Sequence, residues 1–86
     1  MLLGSFHNGK QVEESICSFI GPEGARVLHF DLDLSDASFT CIVVGRYRRV
    51  FKKVEYVVSA LDETFPELSE LFFHVLEILG KQRIQA

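Results

Sequence analysis

Residues 27–34 alternate between two kinds of side chain, and this alternation constrains the fold more than any other feature of the chain. One set of alternate positions holds Leu28, Phe30, Leu32 and Leu34, and the other holds Val27, His29, Asp31 and Asp33. Successive side chains of a strand point to opposite faces, so the pattern predicts a half-buried strand. After a short turn, residues 38–44 are apolar on both faces, which is typical of a central strand. We therefore expect these two segments to form an antiparallel hairpin.

Three further segments carry weaker patterns. Residues 2–6 are short and apolar, and they predict a strand. From residue 10 onward the apolar side chains recur at helical spacing, at Val12, Ile16, Phe19 and Ile20. Gly21 lies just beyond them, where a glycine can cap a helix. Pro66 favours the first turn of a last helix, which we expect to run to about Leu79 and to end at Gly80.

Residues 46–63 fit two patterns. As a helix, the segment gathers its apolar side chains into an arc of about 120°, the width that a core-facing helix shows. As a strand, residues 50–58 alternate, and their β-branched content favours that interpretation. The helix is preferred because the apolar stripe continues without a break to residue 63, and the strand is the alternative.

In chain order the predicted elements are strand, helix, strand, strand, helix and helix. The order β-α-β-β-α-α predicts an α+β fold with a small, mainly antiparallel sheet of about three strands, packed by about three helices. A chain of 86 residues suffices for one small domain, which we expect to span residues 1–86.

Composition excludes several classes of protein. Apolar residues make up 48% of the chain and charged residues 24%, which argues against intrinsic disorder. No apolar run approaches the ~18 residues of a membrane-spanning helix, and the N-terminus lacks the pattern of a secretory signal. Two cysteines are too few for a disulfide scaffold. We therefore expect a cytoplasmic protein that has no membrane segment.

The sequence gives little support to catalysis. His29, Asp31 and Asp33 share one strand face, but neighbours ~6.5–7 Å apart are too widely spaced for one metal ion. Cys17 and Cys41 lie in apolar segments, and no spacing pairs either thiol with a histidine that could act as its base. We expect neither an enzyme nor a bound metal or cofactor.

The charges of the chain are unevenly distributed. Net charge is −3, yet five of the nine basic residues fall within eight positions: Arg46, Arg48, Arg49, Lys52 and Lys53. Outside this window four basic residues face twelve acidic ones, a balance of −8. Such a layout repels polyanions in general and attracts acidic groups locally. We expect these five residues to bind a partner or an anion.

The last helix has more apolar surface than one core can cover. Its apolar arc spans about 220°, whereas a surface helix needs only slightly more than about 100°. Phe72, Phe73 and Leu76 provide large side chains of the kind that dominate interface energies. We expect these three residues either to pack within the chain or to form an interface.

Together, these features favour a small non-enzymatic protein-interaction module, such as an adaptor, inhibitor or regulatory subunit. The expected partner is a protein with an acidic surface, and a homodimer of the chain is a further expectation. The alternative is an RNA- or single-strand-binding module, in which residues 46–53 hold phosphates while Tyr47 and Phe51 stack on bases.

Overall fold

The computed structural model describes residues 9–85, with side chains described as far as Gly80. Its elements are α1 (Gly9–Ile20), β1 (Glu23–Asp33), β2 (Ser38–Tyr47), β3 (Val50–Ser59) and α2 (Pro66–Gln85). The α+β class and the small antiparallel sheet are confirmed. The predicted order β-α-β-β-α-α with about three helices is wrong, because the described chain has the order α-β-β-β-α with two helices. The strand predicted at residues 2–6 lies outside the described residues.

The three strands form one antiparallel sheet in the order β1-β2-β3. The hairpin predicted from residues 27–44 is confirmed, with Asp33 opposite Ser38 where the turn begins. β2 lies in the centre, as its two apolar faces predict. Two register shifts interrupt the pairing of β1 with β2, whereas β2 and β3 pair without a break from Tyr47 and Val50 to Ser38 and Ser59.

Residues 46–63 are not a helix, so the preferred interpretation of this segment is wrong and the alternative holds for residues 50–59. A helix here would have left the second edge of β2 without a hydrogen-bonding partner, and buried backbone groups need one. The β-branched side chains of β3 also favour a pleated strand over a helix. Because β3 follows β2 after only two residues, it supplies that partner locally.

Both helices cover the same face of the sheet. α1 packs against β1 and α2, and α2 also packs against β3. The core between the layers contains side chains from all five elements: Val12, Ile16, Val27, Phe30, Phe39, Cys41, Val43, Val58, Leu71, Phe72 and Val75. Phe39 of the central strand lies in the middle of an aromatic group, with ring centroids 5.2 Å from Phe30 and 6.3 Å from Phe72.

The ends of the helices have identifiable partners. The amide of Gly21 donates a 2.8 Å hydrogen bond to the carbonyl of Cys17, and Gly21 has a φ of 81°, so it caps α1 as predicted. α1 is also tied to the sheet, because the amide of Val27 donates to the carboxylate of Glu13 at 2.9 Å. α2 begins at Pro66 as predicted, but it continues through Gly80 to Gln85.

Candidate binding surface on the β2–β3 hairpin

The turn between β2 and β3 consists of two arginines in left-handed conformation. Arg48 has a φ of 53° and Arg49 a φ of 73°, and the turn is closed by the pair Tyr47 and Val50. Two-residue hairpin turns with positive φ at both positions strongly favour Asn-Gly. A side chain larger than glycine costs roughly 1 kcal/mol at each such position. The turn therefore carries two cations at a cost in conformational energy.

The five basic residues predicted as a binding site converge on this end of the sheet and are called the basic hairpin: Arg46, Arg48, Arg49, Lys52 and Lys53. All five are exposed, and none forms an ion pair with the residues that the structure describes. They are arranged differently from the predicted helical face. Arg46 and Lys53 extend from the face that the helices leave uncovered, whereas Lys52 lies on the opposite side and Arg48 and Arg49 form the tip.

An open groove lies beside the basic hairpin. Its volume is about 440 Å³, and it is lined by residues 20–22 at the end of α1 together with Arg46, Tyr47, Arg48 and Lys52. The Nζ of Lys52 lies 5.5 Å from the centroid of the Tyr47 ring, within the range of a cation–π contact. Three basic residues are thus among those that line the groove.

Gly45 allows β1 to begin beside this groove. A Cβ atom at Gly45 would lie 3.1 Å from the carbonyl oxygen of Glu23 and 3.1 Å from Cβ of Pro22. Both are closer than ordinary contacts, and the Glu23 oxygen belongs to the backbone and cannot rotate away. Glycine therefore avoids tight contacts where residues 22–23 cross β2.

Hydrogen bonds hold the Tyr47 ring beside the groove. The hydroxyl of Tyr47 donates to the carbonyl of Val43 at 3.3 Å, and it accepts a hydrogen bond from the hydroxyl of Tyr56 at 3.3 Å. Burial, more than the coupling to the Tyr56 hydroxyl, raises the pKa of Tyr47 well above its ordinary value. Tyr47 is therefore neutral at physiological pH and adds no negative charge to the groove.

The sheet face opposite the helices is uncovered by any described residue and is called the open face. Its outward positions include Arg26, His29, Asp31 and Asp33 on β1, Thr40, Ile42, Val44 and Arg46 on β2, and Phe51, Lys53, Glu55 and Val57 on β3. Phe51 is 69% exposed and Val57 is 62% exposed, which is unusual for large apolar side chains in a strand. The cations of the open face lie toward the basic hairpin, and Asp31 and Asp33 lie toward the opposite end.

The structure separates the three aromatic and apolar residues that were predicted for α2. Phe72 is only 2% exposed and belongs to the core, so its side chain offers no surface to a partner. Phe73 is 54% exposed and meets the ring of Phe72 edge-on at 5.5 Å. Leu76 is half-buried against the core. Neighbouring helical residues point about 100° apart, which is why Phe72 and Phe73 differ so much in exposure.

Catalytic groups do not converge in the described part of the chain. Burial raises the pKa of the Cys41 thiol to about 12, with a smaller contribution from Cys17. Burial also raises the pKa of Cys17, and the nearby Glu13 carboxylate adds to this effect. Both thiols are free, and raised pKa values make them poor nucleophiles. Among residues 9–85, no group of three or more potential ligands is placed to hold a metal ion.

Sequence reasoning missed the exposure of Phe51 and Val57, because the helical interpretation assigned both side chains to the core. The signal was present in the alternation of residues 50–58, which places Phe51, Lys53, Glu55 and Val57 on one face of a strand.

Comparisons with protein-family models, curated proteins and solved structures found no match to this chain. Within the described residues, neither helix combines the length and apolar character that crossing a membrane requires.

Proposed function

We propose that this chain is a non-enzymatic binding module that holds an acidic segment of another protein on the basic hairpin. The observation that supports this proposal is the convergence of five exposed cations, without ion pairs among the described residues, beside an open groove. A surface that served stability alone would gain from acidic residues interspersed among these cations. The two left-handed arginines also place positive charge where neutral turn residues would fold better.

The chemistry of the basic hairpin suits carboxylates. Arg48 and Arg49 present guanidinium groups that can each hold a carboxylate through two parallel hydrogen bonds. Arg48 and Lys52 line the adjoining groove, so an acidic segment that lies in it would meet these cations as well. Ion pairs between these exposed cations and the carboxylates of a partner are screened by salt. Their main effects are on the rate of association and on the orientation of the partner.

A protein partner is favoured over a long polyanion because of the charge on the rest of the molecule. The balance of −8 outside residues 46–53 opposes an extended nucleic-acid backbone, whereas a short acidic segment can bind the basic hairpin alone. Asp31 and Asp33 occupy the far end of the open face, where phosphates of a longer strand would meet them.

Fluorescence anisotropy with a labelled acidic peptide of about ten residues tests this proposal. We expect Arg49→Glu to weaken peptide binding about three- to tenfold, and we expect binding to weaken as salt is raised. Lys10→Glu is the matched control, because it makes the same change of charge at the start of α1. That site lies about 15 Å along the helix from Ile20, beyond the Debye length at physiological salt. Equal effects of the two variants, or no binding at low salt, would contradict the proposal.

Single-stranded RNA is the second candidate ligand, and one observation favours it. Phe51 lies exposed on the open face, with Arg46 opposite it on β2 and Lys53 two residues further along β3. An aromatic ring flanked by cations on a sheet surface is a platform on which a base can stack. If RNA is the ligand, Phe51→Ala should weaken binding of an oligouridine by about 1–3 kcal/mol. The same change should leave the affinity for the acidic peptide nearly unaltered.

A further inference from the structure

Among the described residues, β3 is an edge strand of the sheet that differs from the other edge strand, β1. The strand order leaves one side of β1 and one side of β3 without a partner in the described residues. β1 is interrupted by two register shifts, and the carboxylate of Glu13 occupies the amide of Val27. Such irregularities protect a strand edge from pairing. β3, in contrast, is regular from Val50 to Ser59.

The register defines which backbone groups of β3 face outward. In a two-residue hairpin the residues that flank the turn form a hydrogen-bonded pair, so Val50 and every second residue after it bond to β2. The amide of Ala60 accordingly donates to the carbonyl of Ala37 at 2.9 Å. The outward-facing amides and carbonyls therefore belong to the alternate residues: Phe51, Lys53, Glu55, Val57 and Ser59. Their side chains all lie on the open face.

We propose that β3 pairs antiparallel with β3 of a second copy of this chain, with the twofold axis at Val54, to give a continuous six-stranded sheet. In this register Lys53 lies opposite the partner's Glu55, and the symmetry repeats the pair. Phe51 lies opposite the partner's Val57, so the two most exposed apolar side chains of the open face cover each other. Of the basic hairpin only Lys53 forms a charge pair in this dimer, and Arg48 and Arg49 lie at opposite outer ends of the paired strands.

Charge selects this register over its neighbours. A shift of the twofold axis by one residue toward the hairpin tip places Lys53 opposite the partner's Lys53. A shift by one residue in the other direction places Glu55 opposite the partner's Glu55. Like charges directly opposite each other destabilise a strand pair, and opposite charges stabilise it. Of these three registers, only the Val54 register places Lys53 opposite the partner's Glu55 on the open face.

The interface is small, so a concentration-dependent dimer is expected. One strand pair contributes about eight backbone hydrogen bonds and buries few side chains, which corresponds to the low end of interface sizes. We expect dissociation in the micromolar range, measurable by sedimentation velocity between about 1 and 300 μM.

Two charge-reversal variants and their mixture test the proposal. Lys53→Glu places glutamates opposite each other, and Glu55→Lys places lysines opposite each other, so each variant alone should sediment as a monomer. Mixed at equal concentration they should form a heterodimer, because every Glu then lies opposite a Lys. Lys52→Glu is the matched control: the amide of Lys52 bonds to β2, and this variant should dimerise like the parent.

Amide hydrogen exchange provides an independent measurement. At high concentration, where the dimer forms, the amides of residues 51, 53, 55 and 57 should become protected from exchange. On dilution to the monomer, only the amides of residues 52, 54, 56 and 58 should remain protected. Three results would overturn the proposal: a parent that stays monomeric at 300 μM, single variants that dimerise like the parent, or a mixture that stays monomeric. Arg49→Glu should dimerise normally, so a failure to bind peptide and a failure to dimerise are separate results.

Discussion

The hydroxyl of Tyr56 donates a hydrogen bond to the hydroxyl of Tyr47 at 3.3 Å, and this contact joins β3 to the end of β2 beside the groove. The chain contains only these two tyrosines, so Tyr56→Phe leaves Tyr47 as the single phenol. Burial is the larger cause of the raised pKa of Tyr47 and its coupling to the Tyr56 hydroxyl the smaller, so this pKa should stay raised in Tyr56→Phe. An ultraviolet titration of the phenolate checks this expectation. A Tyr47 that titrates at its ordinary value in Tyr56→Phe would contradict the order of the two causes.

Replacing the turn should stabilise the fold and remove charge at the same time. Arg48→Asn with Arg49→Gly introduces the residues that this turn type favours, and it should raise the free energy of unfolding by roughly 1–2 kcal/mol. For a domain of this size, each 1 kcal/mol corresponds to about 4–8 °C in Tm. Differential scanning calorimetry of the variant and the parent measures this shift in Tm. The same variant should lose affinity for the acidic peptide, so increased stability with unchanged peptide binding would count against the basic hairpin as the binding site.

Adjacent aromatic residues of α2 should respond differently to truncation. Phe72→Ala removes a buried ring that stacks on Phe39 with an interplanar angle of 16°, and it should cost about 3–5 kcal/mol of unfolding free energy. Phe73→Ala removes a ring that is 54% exposed, and it should cost less than about 1 kcal/mol. Urea denaturation of both variants provides the comparison. Similar losses of unfolding free energy in Phe72→Ala and Phe73→Ala would mean that Phe73 is buried in solution.

The buried thiol predicts a loss of stability in alkaline solution. Burial raises the pKa of Cys41 to about 12, above the ordinary thiol value of 9.0 that applies when the chain is unfolded. The folded state therefore binds the thiol proton more tightly, and the stability this confers is fully present below pH 9. It declines as pH rises from about 9 toward 12, by up to about 1.4 kcal/mol per pH unit. Urea denaturation at pH 7.5 and pH 10 should show this decline, and Cys41→Ala should show a smaller one. An equal decline in both proteins would assign the effect to other groups.

Local patterns in the sequence predicted the elements whose neighbours in space are also neighbours in the chain. The alternation of residues 27–34 identified the β1–β2 hairpin, and the apolar spacing up to Ile20 with Gly21 identified α1. The helix prediction for residues 46–63 was wrong because the valines and charged residues of this segment fit both helical and strand spacing. The choice between helix and strand depends on β2, whose second edge needs a hydrogen-bonding partner. That requirement is visible only in the assembled sheet and not in the local sequence.

The candidate site was predicted as a group of residues but not as a shape. Five cations within eight positions are evident in the sequence, whereas their division between a turn, two faces and a groove depends on β3 being a strand. The left-handed turn had no local signal, because Arg48 and Arg49 are not turn-forming residues. Phe72 and Phe73 belong to one broad apolar arc, and their separation into core and surface depends on how α2 is rotated against the sheet.

The hydrogen bond between Glu13 and the amide of Val27 makes α1 and the bulged part of β1 one cooperative unit. If α1 detaches, Val27 loses its acceptor at the same moment as the core loses Val12 and Ile16. The hydrogen bonds of the uninterrupted β2–β3 ladder involve neither α1 nor β1. Sub-global opening should therefore begin at the N-terminal side of the fold, while the strands that carry the basic hairpin stay assembled. The surface proposed for binding is thus part of the most persistent portion of the molecule.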